Sequence, residues 1–320
     1  MKYEHILSFA LEHPWAVTDS MRRVIAGVLA RHIAGEGDAG EIAAALGNRK
    51  DLPQPRKGGA VALIPIYGVI APRMNLMSDM SGGTTFEALT AQLHDAMANE
   101  TIKTIVFDVD SPGGNVAGAT EFAREVLKAR VTKPIIAQAQ HLMASAAYWV
   151  CACATEIVAS PSAMVGSIGV YAMYDDISEA LAKLGIKREL IVAGKYKAEG
   201  VDGGPLSDDA RAHIKALVDD TYIRFIGDVS KGRGITAAAV RGGYGEGRCV
   251  GTDEAKALGM IDRIATLDET LARVLTSAPG IAGTAQATDQ ERLAATSQEP
   301  AVSDVLWTNQ AQAALLELDL

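Results

Sequence analysis

Basic charge is what this sequence lacks most: 30 lysines and arginines face 39 aspartates and glutamates, for a net charge of -9 at pH 7 and a pI near 5.2. Nucleic-acid binders neutralise phosphate with a basic face, and the short basic clusters here supply none, so nucleic acid is not the expected substrate. Cysteine is also scarce. Of the three, Cys151 and Cys153 are too close for an ordinary disulfide, which suggests a reducing compartment where thiols serve as small core residues. No second Cys/His cluster stands at ligand spacing, so neither a metal nor another cofactor is expected. Long apolar runs are missing too: the most apolar stretch, 60–71, is broken by Pro65 and Gly68 and falls short of the roughly 20 residues of a membrane span. Met1–His5 brings acidic and polar residues early and does not read as a secretory signal. These absences together lead to the expectation of a soluble, cytoplasmic protein. Aromatics make up only 5%, but 48% of the 320 residues are hydrophobic, enough for one large core or two modest ones.

What is present falls into three parts. Over residues 1–58 the apolar positions Ile6, Phe9 and Ala10, then Met21, Val24, Ile25, Val28 and Leu29, recur at helical spacing and predict two short helices. A proline- and glycine-bearing linker, Asp51–Gly59, follows. Residues 59–277 open with a strand pair or bent strand over Ala60–Ile70, a Met/Gly/Ser-rich loop over Met74–Gly83, and a capped helix from Thr84-Thr85-Phe86-Glu87 through Asn99. Then strand (Thr104–Val109), helix (Val116–Arg130), strand (Pro134–Ala139), helix (Ser145–Cys153) and strand (Glu156–Ala159) alternate. That order implies crossovers, an α/β fold with a mainly parallel sheet, and chemistry at the carboxyl ends of the strands. A helix over Asp176–Leu184, a strand at Arg188–Val192 and helices over Ser207–Lys231, Thr236–Arg241 and Thr252–Leu258 complete this part. From 278 to 320 the composition turns to Ala, Gly, Thr, Gln and Ser, the mark of a disordered tail, with an apolar end at Leu315–Leu320 suited to docking.

Two pieces of the central part point to chemistry. Ile105–Asn115 is an apolar β run that stops at Asp110-Ser111-Pro112-Gly113-Gly114, so a buried strand delivers a turn rich in exposed amides, as oxyanion holes require. His141–Tyr148 places Ser145 among small residues after another apolar run, where a strand-to-helix turn can present a hydroxyl. Taken alone, a serine among alanines is usually a tolerated small residue and such a turn is only a turn. His141, one helical turn before Ser145, is more often a packed or capping residue than a base, and no aspartate is placed by sequence to orient it. A lysine can activate serine instead, provided desolvation leaves it neutral near pH 7. Lys197, in the polar loop Ala193–Gly204, can reach the site; Ser167, in Gly166-Ser167-Ile168-Gly169, can aim the ammonium.

The ordered set Asp110–Gly114, Ala144-Ser145-Ala146-Ala147-Tyr148, Gly166-Ser167-Ile168-Gly169-Val170 and Gly194-Lys195-Tyr196-Lys197 resembles the signal-peptide-peptidase A family of serine proteases, over about residues 60–270. Tyr222–Gly234, Gly247–Gly251 and Ala255–Asp262 add to the likeness. The resemblance implies a ClpP/crotonase-like fold with βαβ units and peripheral helices, and a Ser-Lys dyad. Ser145 matches the nucleophile, Lys197 the general base with Lys195 as its competitor, and Ser167 the serine that hydrogen-bonds the lysine. Gly114 matches an oxyanion-hole donor, with the amide of Ala146 as the natural second. The family also implies a protein or peptide substrate and ring-like homo-oligomers, in which the lysine can come from a neighbour.

The short helical start and low-complexity end are similar to the capsid-assembly proteases of tailed phages. That implies a head-maturation role in the host cytoplasm, inside the prohead, with scaffold, portal and capsid proteins as partners. A soluble bacterial peptidase acting on signal or cytoplasmic peptides is the alternative. Two other classes compete: an acyl-CoA enzyme of crotonase type, disfavoured by the Ser145–Lys197 pair, and a non-catalytic scaffold or capsid-interaction protein, suited by the tail.

Overall fold

The computed structural model describes residues 15–18, 56–58, 60–72, 84–199 and 203–277. The helices expected within residues 1–50, the loop Met74–Gly83 and the tail from 278 lie outside these. The strands are β1 (Trp15–Val17), β2 (Arg56–Gly58), β3 (Val61–Tyr67), β4 (Ile70–Ala71), β5 (Thr84–Thr85), β6 (Thr104–Ser111), β7 (Gly113–Asn115), β8 (Ile135–Ala144), β9 (Glu156–Ala159), β10 (Met164–Gly166), β11 (Cys249–Gly251) and β12 (Arg263–Ile264). The helices are α1 (Phe86–Ala98), α2 (Ala119–Thr132), α3 (Ala146–Cys151), α4 (Ser178–Lys183), α5 (Asp208–Arg233), α6 (Ala237–Gly243), α7 (Thr252–Ala257) and α8 (Leu267–Ser277).

Apolar β-branched runs form the centre. In β6, Ile105, Val106, Phe107 and Val109 are all fully buried, because helices cover the sheet on both faces and leave no solvent side to alternate toward. The larger sheet runs β11-β10-β8-β6-β3-β2. It is parallel throughout its interior, and only its ends, β10–β11 and β2–β3, are antiparallel. The fold is thus the α/β class with a mainly parallel sheet that the strand–helix alternation implied. A smaller sheet runs β1-β7-β4-β5 and takes its glycine strand from the turn just after β6.

Strand β8 forks the larger sheet. Its first half, Ile136–Ala139, pairs with β9, while Leu142, Met143 and Ala144 pair with β10. On its other edge the register to β6 skips from Val109↔Ala139 to Ser111↔Met143, so residues 140–142 oppose Asp110 alone. This bulge turns His141 out to solvent and carries the strand five residues past its expected end at Ala139. His141 therefore precedes Ser145 in a strand, and the expected stacking of the two on one helical face is corrected.

Helix α1 starts where its capping sequence placed it, with Thr85 Oγ1 accepting from the Ala88 amide at 3.1 Å. Helix α2 starts three residues later than expected. The Asn115 side chain accepts from the Ala117 amide at 2.8 Å and Gly118 adopts φ +93 beside the Phe86 ring, which holds the chain in a turn until Ala119. The few aromatics sit at the centre: Phe122 packs on both Phe86 and Phe107 at 6.1 Å, and Trp149 stacks on Phe225 at 4.4 Å. Trp149 Nε1 donates to Asp228 Oδ2 at 3.0 Å, tying α3 to the second half of α5. Arg130 Nη1 donates to the carbonyls of Cys153, Ala154 and Gly232, closing the same junction from α2. Cys151 and Cys153 are buried free thiols in this core, and burial pushes the Cys153 thiol up to about 12, as expected of inert packing residues.

Two segments differ from expectation. Arg56–Gly58, read as linker, adds an edge strand antiparallel to β3. Arg188–Val192, read as a strand, has no strand partner among the described residues; every residue from 182 to 197 is exposed, so no described sheet edge satisfies a ladder there.

Candidate active site

Three strand ends converge on Ser145. It is the residue between β8 and α3, with φ 55 and ψ -121, a conformation that non-glycine residues rarely tolerate. Its amide donates to the Gly166 carbonyl at 2.7 Å and its carbonyl accepts from Trp149 at 2.8 Å, so the strain is held by β10 on one side and α3 on the other. The side chain does not cap α3. Ser145 is 1% exposed, and its Oγ has no hydrogen-bond partner among the described residues. A buried hydroxyl without a partner loses on the order of 1–3 kcal/mol, so it is retained here against stability. This is the strand-to-helix turn read from the small residues around Ser145.

The glycine turn lies against it. A Cβ on Gly113, at φ +95, would come within 2.8 Å of Ser145 Cβ and 2.3 Å of the Ala16 carbonyl oxygen; one on Gly114 would come within 2.0 Å of the Ile70 carbonyl oxygen. Only glycines allow β7 to fit between β4, β1 and the serine. Ser111 fixes the turn, its Oγ donating to the Gly68 carbonyl at 2.6 Å and accepting from the Gly113 amide at 3.2 Å. Gly113 is thus the glycine against Ser145, while Gly114 is flanked by Ala16 and Ile70. Ala146 is buried at the first position of α3, where backbone amides have no partner within the helix.

Ser167 is the second strained serine, at φ 53, one residue beyond the Gly166 carbonyl that binds Ser145. Its amide donates to the Arg248 carbonyl at 2.8 Å, and β10 pairs with β11 there, so the strand ends of β8, β10 and β11 are linked in sequence. The bond from the Ser145 amide to Gly166 places Ser167 next to the Ser145 backbone, at the same sheet edge. The two lysines are exposed. Lys197 is exposed in the segment 182–197, and with Ser145 Oγ unpartnered, its ammonium is not bonded to that hydroxyl. Lys195 Nζ is engaged by the Tyr196 hydroxyl at 2.6 Å and lies 4.0 Å from Asp209. The structure brings Ser145, Gly113–Gly114, Ala146 and Ser167 together within one chain, and Lys197 makes no hydrogen bond to Ser145 Oγ.

Some neighbours were not read from the sequence. His141 Nδ1 lies 3.3 Å from Asp110 Oδ2, a pair made by the β6–β8 bulge, but the imidazole is mostly exposed and Ser145 Oγ is not its partner. Asp108 is buried beneath it, bonded to the Tyr67 hydroxyl and to Gln140 Nε2. The smaller sheet's β1 was missed as well; its signal was Pro14, which disfavours a helix, followed by the apolar Trp15-Ala16-Val17. Among the described residues no group of His, Cys, Asp and Glu could hold a metal ion, and no helix is long and apolar enough to cross a membrane.

Comparison with known proteins places this geometry in context. Capsid assembly protease C of Escherichia phage lambda is 29% identical over 252 residues, covering 74% of this chain and 57% of its own. Head-tail preconnector protein GP5 of Enterobacteria phage P21 is 28% identical over 196 residues, covering 61% of this chain and 39% of its own. The chain therefore spans between two fifths and three fifths of these relatives' length. A solved structure, a mutant of the 1510-N membrane-bound stomatin-specific protease, covers 68% of this chain and 86% of its own at 14% identity and a TM-score of 0.41. The model of peptidase family S49 matches residues 128–278. That matched segment carries Ser145, Ser167 and Lys197.

Proposed function

We propose that the chain is a serine endopeptidase in which Ser145 is the nucleophile and Lys197, supplied by a neighbouring copy, is the general base. The observation that carries this is Ser145 itself: strained at φ 55, buried, with Oγ unpartnered and a glycine strand against it. Strain of this kind persists where the surroundings over-determine it, as at catalytic turns. The base removes the Oγ proton as Oγ attacks a peptide carbonyl, and the amides of Gly114 and Ala146 hold the resulting oxyanion. The lysine then returns the proton to the leaving amine, and water releases the acyl group by the same route.

A lysine in water is protonated and cannot serve as a base; enclosure is what makes one basic. The segment bearing Lys197 supports enclosure by a second copy, because Leu184 (73% exposed), Ile191 (95%) and Val192 (52%) offer it an apolar surface that no described part of their own chain covers. The phage relatives favour a role in head assembly, with scaffold, portal or capsid proteins as substrates in the host cytoplasm. On this reading the protease domain is residues 59–277, to which Trp15–Val17 and Arg56–Gly58 add edge strands. A fluorophosphonate probe located by mass tests the reading. Labelling at Ser145, abolished together with peptide cleavage in Ser145→Ala, is expected; cleavage surviving in Ser145→Ala refutes it.

A further inference from the structure

Strand β1 lies where a substrate would be read. It runs antiparallel to β7 in the register Trp15↔Asn115, Ala16↔Gly114 and Val17↔Gly113. The Thr18 amide donates to the Pro112 carbonyl at 3.0 Å. Hydrogen-bonded pairs alternate along an antiparallel ladder, so with Thr18 and Pro112 one such pair, Ala16 and Gly114 form the next, exchanging N–H···O bonds. The Ala16 carbonyl thereby takes the amide of Gly114, the donor assigned above to the oxyanion. Only the missing Cβ of Gly113 separates that carbonyl oxygen from the Ser145 side chain. Ala16 is fully buried and Val17 is 4% exposed, and Ser145, on the other side of Gly113, is itself 1% exposed. A nucleophile must meet its substrate, and strand addition to a sheet edge is a general way to seat an extended peptide. The edge of β7 beside Ser145 is already filled.

We infer that the β7 edge is the peptide-binding edge of this site and that the chain's own Trp15–Val17 is seated there as an intramolecular occupant, so that an extended peptide substrate must displace it. The inference rests on Ser145 being the nucleophile. Its consequence is a self-capped site: apparent affinity for a peptide is reduced by the fraction of molecules whose β1 has left. The residues that would set the competition are small and β-branched, Ala16 and Val17, which points to substrates presenting a small residue at the Gly114 register.

The test uses the full chain. Ala16→Pro removes the ladder amide at that position and Thr18→Pro removes the bond to Pro112; each should raise the rates of fluorophosphonate labelling at Ser145 and of cleavage of a short fluorogenic peptide by about tenfold, if the open state is populated about one time in ten. The hexapeptide His-Pro-Trp-Ala-Val-Thr, copying residues 13–18, should inhibit both variants more strongly than the parent. Variants that melt at the parent's temperature but label Ser145 no faster, or cleave more slowly, overturn the inference and leave the nucleophile assignment standing. Labelling at some other serine overturns both. Should the proline variants not fold, hydrogen exchange on the unaltered protein decides: amides of residues 15–18 should exchange faster when the hexapeptide is present, and unchanged protection with the peptide bound refutes displacement.

Discussion

Every residue from 143 to 154 is buried and every one from 182 to 197 is exposed. The first stretch carries Ser145, hydrogen-bonded through its backbone to β10 and α3; the second carries Lys197, in a segment with no helix or strand after Lys183. The helix α5 repeats the contrast along its length. Its C-terminal part buries Phe225, Ile226, Asp228 and Val229, with Phe225 and Asp228 on Trp149 of the helix after Ser145, whereas nearer its N-terminus Leu217 is about half exposed. The difference teaches that the Ser145 half of the candidate site is fixed by the chain's own folding, whereas on the proposed reading the Lys197 half is fixed by association.

The comparison can be broken most severely at Gly113. In Gly113→Ala the new Cβ, at positive φ, would come within 2.8 Å of Ser145 Cβ and 2.9 Å of the Ala144 carbonyl oxygen, a clash that release of β1 does not relieve, and a shift of Ser145 by about 1 Å should lower peptide cleavage by on the order of 100-fold. Activity retained within a few-fold would mean that the glycine strand does not position the serine. Next in size is the exposed half: Ile191→Asp should leave thermal stability within about 0.5 kcal/mol while preventing association and lowering activity, read by sedimentation alongside peptide cleavage. Loss of stability instead would place Ile191 in the chain's own core. In the buried half, Asp228→Ala strands the Trp149 indole N–H, costing about 1–3 kcal/mol and lowering Tm by roughly 2–4 °C per kcal/mol. An unchanged melting curve would mean that the bond between α3 and α5 contributes nothing.

A smaller effect sharpens the comparison through pH. Burial tends to raise the Asp262 carboxyl, but the Arg233 guanidinium and the Ile157 amide bonded to it prevail and hold it below the usual range. A lowered folded pKa stabilises above the unfolded value and is lost as pH falls through the folded one. The Tm gap between the parent and Asp262→Asn should therefore be widest near neutrality and close below about pH 3.9. A gap independent of pH would show that the ion pair is not its source.

The buried half was legible in the sequence and the exposed half only partly. Apolar runs bounded by turn residues marked β6, β8 and β9, and the small residues around Ser145 together with Asp110–Gly114 marked the converging strand ends, because the chain's own core dictates them. The extension of β8 was hidden because Gln140 and His141 are polar, and only the skip in register against β6 explains how a strand passes through them. β1 is three residues long and gains its meaning from a glycine strand about 100 residues away, which no local pattern reports. Arg188–Val192 has the composition of a strand and no strand partner among the described residues, which leave Ile191 and Val192 exposed.

Mixing inactive subunits tests this division most directly. Ser145→Ala and Lys197→Ala should each lose activity to a similar extent, since members of one catalytic unit are not additive, while Lys195→Ala should remain close to the parent. Co-assembled Ser145→Ala and Lys197→Ala chains should recover part of the parent's peptide cleavage, because some interfaces then join an intact serine to an intact lysine from the other chain. No recovery from a mixture shown to have co-assembled, with the parent fully active as a monomer at high dilution, would contradict a base supplied by association.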